Sequence, residues 1–244
     1  MSTAEWFRTW FDTDYYHLLY SNRDEKEARQ FIDTLLSFLN PIPGSTFIDI
    51  ACGKGRHSIQ LAENGYDTTG VDLSENSILQ AKAAESDMLQ FYVHDIRKPF
   101  PGEKYNYALN LFTSFGYFES INEHYDALNN IYDALEPSGI FVFDYLNSES
   151  IDCGSSMSKE VVFDDVKFET IKSIIGKHIV KTIKVVDGMN ETKFQEKVMA
   201  FSPSELISML EEIGFTIISK HGNYQFDGFD SNQPRLIIIA QKKK

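Results

Sequence analysis

The chain has 244 residues, 42% of them apolar and 14% aromatic, with 14 glycines and 7 prolines; this excludes a wholly disordered or collagen-like polymer and suffices for a core without disulfide or metal staples. Its 23 Lys and Arg against 36 Asp and Glu give a net charge of −13, so no overall attraction to a phosphate backbone is expected. Cys52 and Cys153 are too few for a disulfide framework or a cysteine-based zinc site, and the six histidines have no metal-ligand spacing, so no metal is expected.

The opening MSTAEWFRTWFDTDYY has no signal-peptide pattern, and no apolar stretch reaches the roughly 20 residues that span a bilayer. These features predict a soluble cytoplasmic protein without membrane contact. The last three lysines, Lys242 to Lys244, read as a solvated basic tail.

In chain order, Lys26 to Leu39 has helical periodicity, with Phe31, Leu35, Phe38 and Leu39 on one face. Phe47 to Ile50 reads as a short strand, and Ser58 opens a helix that stops at Gly65. Thr68 to Val71 is a strand, followed by a helix over Ser74 to Ala84 with Ser74 as its N-cap. Strands over Phe91 to Val93 and Tyr107 to Leu111 precede a helix from Asn122 to Leu135, which Pro137, Ser138 and Gly139 stop before the strand Ile140 to Phe143. Strands alternating with helices imply parallel pairing with helices on both faces, a doubly wound α/β fold.

After Asn147 the rhythm changes. Val161 to Phe163, Phe168 to Ile171, Ile179 to Ile183 and Lys193 to Met199 favour strands, with a turn over Asp187 to Asn190. Residues 155–201 therefore read as an antiparallel β insertion with one wet face, and residues 1–40 as an N-terminal helical cap, within a single domain over residues 1–244. Ser202, Pro203 and Glu205 spell a capping box with Pro at the first helical position, and that helix ends at Gly214. Strands over Thr216 to Lys220 and Leu236 to Ala240 flank a loop containing Tyr224, Phe226 and Asp230.

The stretch Asp49-Ile-Ala51-Cys-Gly53-Lys-Gly55 carries the chemistry. It runs from a buried strand through small residues into a helix, at the strand ends where ligands of open α/β sheets bind. Asp72 closes the next strand, where a carboxylate can accept from both ribose hydroxyls. The dinucleotide pattern G-x-G-x-x-G is not met, because its third glycine falls on Arg56 or Ser58 according to the alignment. Asp49 would repel a diphosphate but would suit an ammonium. Together these residues fit a nucleoside cofactor with an amino-acid moiety beside a sulfonium.

The sequence here resembles the class I S-adenosylmethionine-dependent methyltransferases, strongly over about residues 45 to 147 and beyond that by the order of its elements. That family's glycine motif reads D/E-x-G-x-G-x-G, so Ala51 replaces the first glycine. The resemblance implies a Rossmann-like methyltransferase fold on a mostly parallel seven-stranded sheet, with S-adenosyl-L-methionine as cofactor. It also implies that Asp49, Ala51, Gly53 and Gly55 hold the methionine part and Asp72 the ribose. Leu73, His94, Asp95 and Ile96 would surround the adenine, and Asn110 and Leu111 would close the floor near the sulfonium. Cys52 reads as an apolar filler, and His57 and His94 as polar neighbours rather than bases.

Methyl transfer from a sulfonium needs mainly alignment and a dry pocket, so no catalytic residue stands out. Asn110-Leu-Phe-Thr113 lacks the paired prolines of adenine and glutamine methylation, and no proline precedes a cysteine as pyrimidine C5 chemistry commonly requires. The substrate candidates are aromatics expected over the strand ends: Tyr16, Tyr20, Phe115, Tyr117, Tyr145 and Tyr224, with Trp6, Trp10 and Tyr15 beside them and part of the set sealing the core. Arg29 reads chiefly as solvent-facing.

The reading is methyl transfer to a nitrogen or oxygen of a small molecule, with nucleic acid disfavoured by the charge. The insertion is expected to serve as a lid or as the contact of a homodimer. The alternatives are RNA or protein methylation on the same fold, a nicotinamide-dependent oxidoreductase, and a module that binds the cofactor without catalysis.

Overall fold

The apolar runs of the first half become the strands of one central sheet in a computed structural model that describes residues 10–21, 25–151 and 157–244. In chain order these are β1 (Thr46–Ile50), β2 (Asp67–Asp72), β3 (Leu89–Val93), β4 (Tyr105–Asn110) and β5 (Leu135–Leu146), joined near the C-terminus by β10 (Phe215–His221) and β11 (Arg235–Lys242). Hydrogen bonding orders them β10-β11-β5-β4-β1-β2-β3; β1 to β5 are mutually parallel and β11 is antiparallel to both neighbours. Phe47, Ile48 and Ile50 on the interior strand β1 are fully buried, as a strand covered on both faces requires.

The helices are α1 (Asp14–Leu19), α2 (Glu25–Leu39), α3 (Arg56–Glu63), α4 (Glu75–Ala81), α5 (Ile121–Ala134) and α6 (Pro203–Ile213). The capping box expected at Ser202 forms: its hydroxyl accepts from the Glu205 N–H at 3.2 Å while the Glu205 carboxylate accepts from the Ser202 N–H at 2.8 Å. Ser74 caps α4 through the Ser77 N–H at 3.0 Å. Helix α2 buries Ala28, Phe31, Ile32 and Leu35 against the sheet face that carries Phe47 and Leu109.

Three local differences from the sequence reading have physical causes. Helix α3 starts at Arg56, because left-handed Gly55 already turns the chain into the helix. Strand β5 starts at Leu135, whose buried side chain pairs with Tyr105, so Pro137-Ser138-Gly139 form a bulge inside the strand with Ser138 at φ 64°. The N-terminal helical cap, for which only the helix from Lys26 was delimited, contains a second helix, the short α1; Thr13 caps it, and it is held by packing rather than by its six-residue length.

The insertion between β5 and α6 is a four-stranded antiparallel sheet of β6 (Met157–Phe163), β7 (Val166–Ile175), β8 (His178–Asp187) and β9 (Asn190–Met199). Its covered face packs Phe168, Ile183 and Val185 against Trp10 and Leu19 of the N-terminal segment. Ile179 and Val198 of the same sheet join the main core beside Phe115 and Tyr145. Helix α1 and the insertion thus form one layer above the carboxyl ends of the parallel strands. No helix among the described residues is long and apolar enough to cross a membrane.

Candidate active site

Between that layer and the strand ends lies a cavity of about 970 Å³. Its floor begins with the loop after β1, where Ala51, Gly53 and Gly55 have φ values of 61°, 58° and 78°. Glycine takes this conformation freely, whereas Ala51 bears a cost of roughly 1 to 2 kcal/mol. Gly55 is confined further, because a Cβ there would stand 2.4 Å from the Phe91 ring.

Asp49 is only 2% exposed and accepts a 2.6 Å hydrogen bond from the Ser58 hydroxyl. Burial raises its pKa to about 6 against that hydrogen bond, with the nearby Asp72 charge adding to the rise. No cation contacts this carboxylate among the described residues. Asp72 accepts from the Gly53 N–H and the Ser74 N–H, each at 2.8 Å, and so ties the glycine loop to the start of α4. Desolvation pushes its pKa up and those two N–H groups oppose the shift.

Asp95 is engaged by Arg97 through both oxygens, at 2.6 Å from Nη2 and 3.0 Å from Nε, and Arg97 continues to Glu123 at 2.5 Å. Leu73, His94, Ile96 and Leu111 line the cavity with Asp49, Ala51, Gly53, Asp72 and Asp95, and Cys52 and His57 lie beside them. Gly55 and Asn110 lie outside the lining. Asn110 sits below, donating from Nδ2 to the Ile50 carbonyl at 3.2 Å, and its buried Oδ1 has no partner among the described residues.

Of the aromatics expected around a substrate, Tyr16, Tyr20 and Tyr117 line the cavity. Phe115 and Tyr145 are buried in the core instead, with the Tyr145 hydroxyl donating to the Met199 carbonyl at 2.7 Å. Tyr224 packs behind the lining against Phe31 and Phe112. Trp10 is buried under the insertion, Arg29 pairs with Glu63 at the surface, and Trp6 and Cys153 lie outside the described residues.

Several residues bordering the cavity were not singled out from sequence. Lys172, Lys181 and Glu196 project from three neighbouring strands of the insertion. Their signal was present in β8, where Lys181 interrupts the buried series Ile179, Ile183, Val185 on one face, but period-two patterns alone do not say what that face covers. His17 also lines the cavity, with a buried Nε2 lacking a partner among the described residues; burial and then Lys54 lower its pKa, favouring a neutral ring.

Fully buried Asp144, inside β5, is a second omission. Its Oδ1 accepts from Arg235 Nε at 2.8 Å and Nη2 at 2.6 Å, and its Oδ2 from the Phe112 N–H at 2.7 Å and the Tyr224 hydroxyl at 3.2 Å. These bonds hold Phe112 and Thr113 at φ 57° and 62°, a strained pair directly after β4. Thr113 lines the cavity, and its buried hydroxyl has no partner among the described residues.

Chemically, the floor offers a buried carboxylate suited to an ammonium and a second carboxylate suited to vicinal hydroxyls, and the roof offers aromatic faces and cations. The family model described as "Methyltransferase domain" matches residues 20–220. The chain is 28% identical to the YqeM protein of Bacillus subtilis (strain 168) over 81% of this chain and 84% of that one. It is 29% identical, over 53% of this chain and 54% of the other, to a dTDP-3-amino-3,4,6-trideoxy-alpha-D-glucopyranose N,N-dimethyltransferase of Streptomyces venezuelae. Its fold matches that of an S-adenosylmethionine-dependent methyltransferase from Clostridium acetobutylicum ATCC 824 with a TM-score of 0.78 at 18% identity, covering 94% and 96% of the two chains.

Proposed function

Because the chain belongs to the methyltransferase domain family and is an S-adenosylmethionine-dependent methyltransferase, we propose that it methylates a nitrogen or oxygen nucleophile of a small-molecule acceptor held between the strand ends and the β insertion. One observation carries this reading: the cavity of about 970 Å³ runs without a break from Asp49 and Asp72 to Lys172 and Arg235. That volume lies at the upper end of small-molecule sites and accommodates two ligands side by side.

The residues present fit the cofactor. Asp49 is a buried carboxylate on which the Arg56 charge acts without outweighing burial, and an ammonium placed in contact with it would stabilise its charged form. Asp72 would take the ribose hydroxyls, with both oxygens already oriented by backbone N–H groups. Leu73, His94, Asp95 and Ile96 would flank the adenine, and Gly53 leaves its Cβ position open for close approach of the loop. Ala51 and Gly55 shape that loop, while Leu111, with Asn110 beneath, sits toward the transfer point. The bound cofactor supplies a methyl group already activated by its positive leaving group.

What this chain adds is alignment and exclusion of water. Tyr16, Tyr20 and Tyr117 wall the acceptor end, and Thr113 offers a hydroxyl to orient the nucleophile. Phe115, Tyr145 and Tyr224 act from behind, by fixing the lining. Of the two roles expected for the insertion, the lid is favoured, since its covered face borders the cavity. The relative that methylates the nitrogen of an amino sugar supports a small acceptor and favours nitrogen.

Calorimetry with S-adenosylmethionine, S-adenosylhomocysteine and NADH tests the cofactor side, and release of S-adenosylhomocysteine against a panel of amines and alcohols tests the transfer. The first two are expected to bind and NADH is not. Tight NADH binding with neither sulfur nucleoside bound would overturn the reading, and turnover confined to RNA or protein substrates would replace the acceptor class.

A further inference from the structure

The two ends of the cavity differ in how their charges are balanced. In register across the insertion, Lys172 on β7 stands opposite Lys181 on β8, which stands opposite Glu196 on β9. Lys181 Nζ lies 3.8 Å from Glu196 Oε2, and Glu196 Oε1 takes the Trp10 indole N–H at 2.9 Å and the Tyr20 hydroxyl at 2.7 Å. Arg235 spends Nε and Nη2 on Asp144, and its Nη1 has no partner among the described residues. Lys172 is half-buried and forms neither a hydrogen bond nor an ion pair among the described residues.

With Lys181 matched by Glu196 and Arg235 by Asp144, the Lys172 ammonium is left as an unbalanced positive charge withdrawn from water. Burial and the neighbouring Arg235 charge both press its pKa down, and Glu196 only partly offsets them. A cation in this position is unfavourable until an anion joins it. The cofactor end is elsewhere: β11, which begins at Arg235, is three interstrand steps from β1, or about 14 Å.

We propose that Lys172, with Nη1 of Arg235, binds an anionic group of the methyl acceptor, a carboxylate or a phosphate. The acceptor is then an acidic small molecule whose anion anchors it under the insertion while its nucleophile reaches toward Thr113 and the floor. This rests on the small-molecule methyltransferase reading and narrows it. It also accounts for how a chain of net charge −13 admits an anion, through a local site rather than an overall field.

The test uses the full chain saturated with S-adenosylhomocysteine, titrated at constant ionic strength with inorganic phosphate, pyrophosphate, acetate and glycine, against chloride as control. Calorimetry and thermal unfolding are read in the wild type, Lys172→Met and Lys172→Arg. Saturable binding in the phosphate arms identifies a phosphorylated acceptor, and in the acetate or glycine arms a carboxylate. Lys172→Met is expected to weaken that binding about tenfold or more, as loss of a charged hydrogen bond implies, while Lys172→Arg retains it. The proposal is overturned if none of the four probes binds the wild type beyond chloride, or if Lys172→Met binds as the wild type does. It is equally overturned if Lys172→Met loses S-adenosylhomocysteine, since the two ends would then not be separate. A wild type that fails to bind S-adenosylhomocysteine at all sinks the parent reading instead, which is a different result.

Discussion

The strand-tip side of the cavity is made largely of backbone and short acids, whereas the insertion side is made of long charged side chains in a row, of which Lys181 and Glu196 pair and Lys172 does not. On the floor, Asp49 and Asp72 are fixed by Ser58, Gly53 and Ser74 within a 26-residue stretch of sequence from Asp49 to Ser74. On the roof, Glu196 is held by Trp10 and Tyr20, which lie 186 and 176 residues away. A floor assembled locally suits an unvarying ligand, and a roof assembled over long range can change its occupant without disturbing that ligand. The proposed division is cofactor below and acceptor above.

The hardest blow to this division is expected from Asp72→Ala, which removes both proposed ribose contacts. It should weaken S-adenosylhomocysteine about a hundredfold by calorimetry, as two charged hydrogen bonds would. An affinity within threefold of the wild type would break the assignment of the floor. Glu196→Ala strips the roof of its shared acceptor and should cost about 2 kcal/mol in denaturant unfolding while leaving S-adenosylhomocysteine affinity within about twofold. A large loss of nucleoside binding there would show that floor and roof are one unit.

Asp49 supplies a pH test. With its pKa raised to about 6 by burial, it must shed a proton to receive an ammonium, so S-adenosylhomocysteine affinity should fall about tenfold per pH unit below about 6. Asp49→Asn should remove that slope. In the ligand-free protein the sign reverses: the folded carboxyl keeps its proton up to about pH 6 but the unfolded one only to about 4. Its contribution to stability is thus full below about pH 4 and is lost as pH rises toward 6. The smallest expected effect is Ala51→Gly, which relieves a left-handed alanine at some entropic cost and should raise stability by about 0.5 to 1 kcal/mol without changing nucleoside affinity.

The same contrast explains what could be read in the sequence. Strand-helix alternation and the Asp49 to Gly55 stretch depend on neighbours in the chain, so the doubly wound sheet and the strand-end positions of Asp49, Gly53 and Asp72 followed from local pattern. Leu73, His94, Asp95, Ile96 and Leu111 came through the family resemblance, and Gly55 and Asn110 lie outside the lining. The four strands of the insertion were legible for the same reason. Which of their faces covers the cavity was not, since Lys181 gains its meaning only from Tyr20 and Glu196 on other elements. Asp144 was passed over because, within an apolar strand, its role depends on Arg235 and Tyr224, which arrive from the far end of the chain. Phe115 and Tyr145 are the converse: aromatic residues at the expected edge whose rings turn into the core.

Asp144 joins these regions. One carboxylate clasps the Phe112 amide, the Tyr224 hydroxyl and the Arg235 guanidinium, so the turn after β4 and the returning 222–234 loop share a single keystone. Exchange of Arg235 for an uncharged residue would leave a buried anion without its cation and loosen the turn after β4. A change at Lys172, which forms no hydrogen bond or ion pair among the described residues, would leave that keystone intact.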